Sequence, residues 1–161
     1  AVDTIEQLAE LFRYVLSATK REMVPFVEEI QHIRRFLEIE HRRYGNTLWV
    51  FFDVEESTSS GSIAPMLLQP LVENAIRYGV GEDANIDICI AARLVPDGMI
   101  VEISDNGAMA VDLKALHSKP GIGISNVNQR LMVLYGRQLE FMPNKPRGLT
   151  VQLNIPQGGQ V

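Results

Sequence analysis

The sequence predicts an α/β domain: a two-layer sandwich in which helices cover a mixed sheet of about five strands, preceded by N-terminal helices. Helical periodicity fills residues 3–44, and strand patterns alternate with helical ones after that point. Neighbouring strand patterns are joined by short turns, which favours hairpins over the helical crossovers of a doubly wound sheet. With 161 residues, the chain has room for one compact domain and a short appendage.

Two amphipathic helices are predicted at the start of the chain. Apolar residues recur at helical spacing across residues 3–19. A second helix is predicted from Pro25 to Gly45, because proline is tolerated in the first helical turn and glycine favours a helix end. We expect residues 1–22 and 23–46 to be separate connecting helices and residues 47–161 to form the compact domain.

The compact part begins with a predicted strand at residues 48–54, which are rich in β-branched and aromatic side chains. A helix follows from near Pro70 to Gly79, and the next elements form a hairpin, a long connection, a helix and a second hairpin. These occupy residues 85–105, 107–120, 121–136 and 138–155. Connections above about 12 residues are uncommon and usually functional, so residues 107–120 are a candidate lid.

Composition excludes several classes of protein. Hydrophobic residues make up 46% and charged residues 22%, which excludes a disordered chain. The net charge of -5 argues against a generic nucleic-acid binder. The single cysteine, Cys89, fits a reducing compartment, and no apolar run approaches the roughly 18–20 residues that span a bilayer. The chain begins without Met inside a helical pattern, so we expect it to be part of a longer protein.

The helix PLVENAIRYG carries the first candidate site. Asparagine destabilises a helix interior by roughly 0.5 kcal/mol relative to alanine, so Asn74 is a candidate for a functional role. Its amide oxygen, beside the carboxylate of Glu73 and the guanidinium of Arg77, suits a site for Mg²⁺ and phosphate. Taken alone, however, the segment is more typical of a solvated polar face.

Two further short motifs follow. Asp105 ends a strand in ISDNG, where its carboxylate could accept a hydrogen bond from an exocyclic amine while Gly107 lets a ligand approach the backbone. Gly121 and Gly123 lie at the start of a helix, whose free N–H groups favour anions. Each motif alone is weak, since the first is also an ordinary turn and the second does not match a P-loop.

In their order along the chain, the three motifs resemble the ATP-binding catalytic domain of sensor histidine kinases, in the superfamily that includes gyrase and MutL. LLQPLVENAIRYG resembles its N box, SDNG its first glycine box, GIGISNVNQRLMVLYG its second and RGLTVQLNIP its terminal strand. LFRYVL, VPFVEEIQHIRRFLEIEHRRYG and QPLVENA are similar to the LytS-like subfamily. The resemblance implies the Bergerat ATP-binding fold, with residues 47–161 as the catalytic domain, 1–22 as the end of a dimerisation or connector helix and 23–46 as a connector helix.

On the phosphate side, the resemblance implies that Asn74 binds Mg²⁺ and the ATP phosphates and that Arg77 lies near them. Glu73, beside the metal-binding asparagine, would help to position water or metal. These assignments make Glu73 and Asn74 the candidate catalytic residues.

On the adenine side, the resemblance implies that Asp105 accepts the adenine amino group, with Gly107 beneath the base. Gly121 and Gly123 would flank the triphosphate under the lid. ATP and Mg²⁺ are therefore the expected cofactors.

The resemblance also implies a function: transfer of the ATP γ-phosphoryl group to a histidine on an upstream helix absent from this chain, for relay to a response regulator receiver domain. His32, His41 and His117 lack the context of the family's acceptor, so the chain is expected to bind ATP without phosphorylating itself. The intact protein is expected to be a homodimer without nucleic acid as a partner, and this chain a cytoplasmic domain of a membrane-anchored bacterial protein.

The sequence departs from the family pattern at three points. Met109 stands where the first glycine box has glycine, the lid is short, and Leu149 precedes Thr150 where the family has Gly-Thr. Two alternatives therefore stay open: a related gyrase- or MutL-type ATPase, and a degenerate module that uses the fold to bind a protein.

Overall fold

The structure is a computed structural model that describes residues 2–108, 112–118 and 120–158. The α-helices are α1 (Val2–Ala18), α2 (Phe26–Tyr44), α3 (Gln69–Tyr78), α4 (Leu113–Ser118) and α5 (Ile122–Tyr135). The strands are β1 (Val24–Pro25), β2 (Leu48–Val54), β3 (Ser62–Ile63), β4 (Ile86–Val95), β5 (Gly98–Asp105), β6 (Glu140–Pro143) and β7 (Leu149–Ile155).

Five of these strands form one mixed sheet in the order β2-β4-β5-β7-β6. β2 and β4 are parallel, and the other pairs are antiparallel. The tight turn before Gly98 joins β4 to β5, and the longer turn around Asn144 joins β6 to β7. This arrangement confirms the predicted mixed sheet of five strands with hairpin connections.

The core lies on one face of this sheet. Alternate residues of the central strands are buried there, among them Ile90, Ile103 and Leu153. They pack with Leu71 of α3 and Leu131 of α5, both of which are also fully buried. Because one side chain of this size stabilises the fold by about 1.5–3 kcal/mol on burial, the core holds α3 and α5 firmly against the sheet. The predicted two-layer architecture is confirmed.

The N-terminal helices pack on each other and differ in burial. Only Tyr14 and Ala18 of α1 are buried, whereas α2 buries a stripe that runs from Phe26 to Leu37. A two-stranded ribbon that the sequence did not indicate pairs β1 with β3 and ties the start of α2 to the segment before α3. Strands of two residues carry no periodicity from which they could be predicted.

The candidate lid contains a helix where the sequence suggested irregular chain. Asp112 directly precedes this helix, and its Oδ1 accepts hydrogen bonds from the backbone N–H groups of Lys114 and Ala115 at 3.0 and 3.1 Å. α4 has six residues, too few to produce a helical pattern in the sequence. Met109 lies outside the described residues. Within the described ranges, no helix has the length and apolar character needed to cross a bilayer.

Candidate functional site

A cavity of about 500 Å³ lies where α3, the end of β5, α4 and the start of α5 meet. All seven site residues predicted from the sequence line this cavity: Glu73, Asn74, Arg77, Asp105, Gly107, Gly121 and Gly123. The fold therefore brings three motifs that are individually weak into one place.

Asp105 is the half-buried acid of the cavity. Its Oδ1 accepts hydrogen bonds from the backbone N–H groups of Gly107 at 2.8 Å and Leu149 at 3.4 Å. Among the described residues, no donor contacts Oδ2. Burial raises the pKa of Asp105 above its ordinary value, and the two backbone hydrogen bonds act in the opposite direction. One carboxylate oxygen is thus fixed by the protein, and the other is available to a donor on a ligand.

Two glycines allow other segments to approach Asp105 closely. A Cβ on Gly107 would lie 2.7 Å from the carbonyl oxygen of Tyr78, so any side chain there would require the backbone to move. Gly148 has a φ of 98° and packs directly on the carbonyl group of Asp105. Gly107 was predicted to belong to the site and Gly148 was not, because the contact of Gly148 joins segments more than 40 positions apart.

A partly buried hydrogen-bond network behind Asp105 was not predicted from the sequence. The hydroxyl groups of Ser104 and Thr150 lie 2.7 Å apart, and Thr150 Oγ1 donates to Asn144 Oδ1 at 2.6 Å. Asn144 Nδ2 donates in turn to the carbonyl oxygen of Asp105 at 2.9 Å. Through Asn144, Thr150 therefore supports the backbone of Asp105.

The opposite wall of the cavity consists of α3 and the start of α5. Asn74 is half-buried, whereas Glu73 and Arg77 are exposed at the mouth. Gly121 is the N-cap of α5, and among the described residues no side chain caps this helix, which leaves its first N–H groups to a ligand. A Cβ on Gly121 would meet no atom within 4 Å. Packing within the protein therefore does not require a glycine at this position, and the open space beside it could hold an anion.

α4 closes one side of the cavity with Ala115 and Leu116. The His117 ring makes an edge-on contact with Phe141 at a centroid distance of 5.3 Å, which connects α4 to β6. The described part of the predicted lid therefore lies against the cavity that holds the other motifs.

The oxygen donors of this wall fit a magnesium ion held mainly by phosphates. Among the described residues, no group of three or more His, Cys, Asp or Glu side chains could hold a metal alone. Mg²⁺ commonly takes one or two protein oxygens together with substrate phosphates and water. The amide oxygen of Asn74, which lines the cavity one residue along α3 from Glu73, is a donor of that kind.

Comparison with known proteins agrees with this geometry. The family model described as histidine kinase matches residues 1–48. The chain is 27% identical over 167 residues to the sensor protein LytS of Staphylococcus saprophyticus and 28% identical over 162 residues to LytS of Bacillus subtilis. These alignments cover 97% and 93% of this chain. Its homologues are LytS-type sensor histidine kinases.

This chain spans under a third of the curated LytS relatives, 28% and 27% of those two proteins. Its fold is that of histidine kinase catalytic domains. The catalytic domain of histidine kinase ThkA superposes with a TM-score of 0.69 at 17% identity, covering 84% of this chain and 95% of that domain. The histidine kinase AdeS of Acinetobacter baumannii gives a TM-score of 0.66 at 18% identity and covers 98% of this chain and 81% of its own. A structure of ThkA in complex with the response regulator TrrA also matches, with a TM-score of 0.67 at 17% identity over 98% of this chain and 49% of that one.

Proposed function

We propose that this chain is the ATP-binding catalytic region of a two-component sensor histidine kinase. It would transfer the γ-phosphoryl group of ATP to a histidine on a segment outside this sequence, and a response regulator would then receive the group. The observation that carries the proposal is the convergence of all seven sequence-predicted residues on one cavity. Homology to LytS-type kinases and the histidine kinase fold support it.

The two ends of the cavity suit the two ends of ATP. Oδ2 of Asp105 would accept a hydrogen bond from the exocyclic amine of adenine, and the Cβ-free backbone of Gly107 would lie beneath the base. At the other end, the uncapped start of α5 and the side chain of Arg77 would donate to the phosphates. A nucleotide bound in this way extends from β5 to α5.

Phosphoryl transfer requires the protein mainly to position groups and to neutralise charge. Asn74 would hold a Mg²⁺ ion together with the phosphates, and this ion would neutralise charge on the transferred group, while the carboxylate of Glu73 would help to position the reacting groups. Arg77 adds positive charge at the mouth of the cavity. α4 would limit the access of water, which protects the γ-phosphoryl group from hydrolysis.

The proposal includes the organisation of the longer protein. Residues 1–22 and 23–46 would be connecting helices that join residues 47–161 to a histidine-bearing dimerisation helix. The exposed apolar residues of α1, such as Ile5 and Phe12, would then pack in a homodimer. The complex of ThkA with TrrA supports a receiver domain as the next acceptor. We place this region at the cytoplasmic side of a membrane-anchored protein.

A nucleotide titration with and without Mg²⁺ tests the proposal. Wild-type chain is expected to bind ATP more tightly with Mg²⁺. Asp105→Asn is expected to lower affinity about 10- to 100-fold, because the amide presents a donor to the donor group of adenine. Asp97→Asn, in the exposed turn between β4 and β5, is the matched control and should bind as the wild type does. Failure of millimolar ATP to bind would favour the protein-binding module and contradict the proposal.

A further inference from the structure

The N-terminal helices hold the beginning of α3 through a fully buried acid. Glu29 of α2 accepts hydrogen bonds from the hydroxyl group of Tyr14 at 2.6 Å and from the backbone N–H groups of Met66 and Leu68 at 3.2 and 3.4 Å. Met66 has a φ of 64°, a conformation that residues with side chains seldom adopt. The carboxylate of Glu29 therefore stabilises a strained turn directly before α3.

A second contact runs from α2 to the cavity. His32 is buried, and its Nε2 lies 2.6 Å from Oε1 of Gln69, the first residue of α3. Gln69 Nε2 donates to Oε1 of Glu73 at 2.9 Å, one helical turn along. Because the amide nitrogen of Gln69 faces a carboxylate, its oxygen must face His32, and His32 must donate from Nε2. The two hydrogen bonds therefore run in the same direction, with His32 donating to Gln69 and Gln69 donating to Glu73.

Tyr14 of α1 contacts both Glu29 and His32. Its ring stacks on the His32 ring with centroids 4.3 Å apart and an angle of 20° between the planes. Its hydroxyl group is held by Glu29, and burial together with this acidic neighbour raises the pKa of Tyr14 well above its usual range. Tyr14 thus remains a neutral donor, and it is one of only two buried residues of α1.

We propose that His32 and Gln69 are positioning residues that form a relay and fix the carboxylate of Glu73 at the mouth of the cavity, with the ring of Tyr14 packed against His32. The inference rests on the proposed function. A Gln–Glu pair four residues apart on an exposed helix surface is weak by itself. The buried imidazole removes the rotational freedom of Gln69, and one oxygen of Glu73 is then held while the other is left for the reaction.

The relay predicts a change in turnover without a change in nucleotide binding. In the kinase that carries this chain with its acceptor histidine, Gln69→Met is expected to lower kcat about tenfold while KM for ATP changes less than about twofold. His32→Leu should have the same effect. His32→Gln should restore most of kcat, because the glutamine amide nitrogen can occupy the place of Nε2. Glu10→Gln breaks the exposed ion pair to Arg35 between α1 and α2 and should change nothing.

A spectroscopic measurement separates the relay from the proposed function. In the 161-residue chain, nitrogen NMR should show His32 as the Nε2–H tautomer, and the side-chain carboxyl carbon signal of Glu73 should move in Gln69→Met and His32→Leu but not in His32→Gln. An unmoved Glu73 signal in these two variants, or an equal loss of kcat in His32→Gln and His32→Leu, would overturn the relay even where ATP binds. A wild-type chain that shows these signals but binds no ATP would instead overturn the proposed function and the catalytic role of Glu73.

Discussion

The carboxyl group of Asp105 meets two requirements that conflict. Recognition of an amine requires the ionised form, yet burial disfavours that form and raises the pKa of Asp105. Two backbone N–H groups donate to Oδ1 and offset part of the cost of burying the charge. Oδ2 has no hydrogen-bond donor among the described residues. The ionised Asp105 therefore lowers the stability of the nucleotide-free protein near neutral pH, while it provides the acceptor that a bound amine requires.

This conflict predicts an effect on stability. The folded-state pKa of Asp105 is raised above its unfolded value, so its contribution to stability is present at low pH and is lost as the pH rises through the raised pKa. Asp105→Asn keeps an oxygen for the N–H groups of Gly107 and Leu149 and removes the charge. Its melting temperature without nucleotide should exceed that of the wild type at pH 7, and the difference should shrink toward pH 4. A variant that is less stable than the wild type at pH 7 would contradict this account.

At the scale of elements, the hairpin of β6 and β7 supports the acid of a neighbouring strand. Thr150 is 8% exposed and joins Ser104 on β5 to Asn144 in the hairpin turn, and Asn144 holds the carbonyl oxygen of Asp105. Gly148 lets the same turn pack against that carbonyl group. The position of Asp105 thus depends on the terminal hairpin as much as on the end of its own strand.

Replacing the buried hydroxyl group tests this dependence. Thr150→Val leaves the hydroxyl group of Ser104 and the amide oxygen of Asn144 without their partner, and it should lower the free energy of unfolding by about 1–3 kcal/mol. ATP affinity should fall as well, because Asp105 loses part of its support. Urea denaturation and a nucleotide titration measure the two effects. Thr47→Val, at an exposed threonine before β2, is the control, and an equal loss in both variants would rule out a special role for Thr150.

At the scale of the whole molecule, none of the three histidines is suited to be the phosphoacceptor. His32 is 1% exposed and is engaged by Gln69, and the Nδ1 of His117 lies 2.6 Å from the carbonyl oxygen of Leu113. His41 is exposed but belongs to the last turn of α2, apart from the residues that line the cavity.

We therefore expect the isolated chain to bind ATP without becoming phosphorylated. Incubation with γ-labelled ATP and Mg²⁺, followed by analysis under alkaline conditions that preserve phosphohistidine, should show no label on the chain. Stable label on any of the three histidines would contradict this expectation. Adding the upstream histidine helix should produce label on that helix, whereas steady ATP hydrolysis without it would indicate an ATPase.

The sequence predicted the parts of this molecule whose signal is local. Periodicity and turn residues were sufficient for α2, α5 and the two hairpins, and three short motifs provided seven residues that all line one cavity. Contacts between distant segments could not be predicted. The hydrogen bond from His32 to Gln69 spans 37 positions, and the bond from Asn144 to the Asp105 carbonyl spans 39. Histidine, glutamine and asparagine are common on solvated surfaces, so nothing in their own neighbourhoods indicates these roles.

The position of the single tryptophan determines which optical signal can follow this protein. Trp49 lies on β2, an edge strand of the sheet, and 63% of it is exposed in the folded state. Its fluorescence should shift little on unfolding, because the indole is already in contact with water. Circular dichroism is therefore the better probe of denaturation, and a tryptophan introduced at Ile122, which lines the cavity and is 83% exposed, would provide a fluorescent reporter of nucleotide binding.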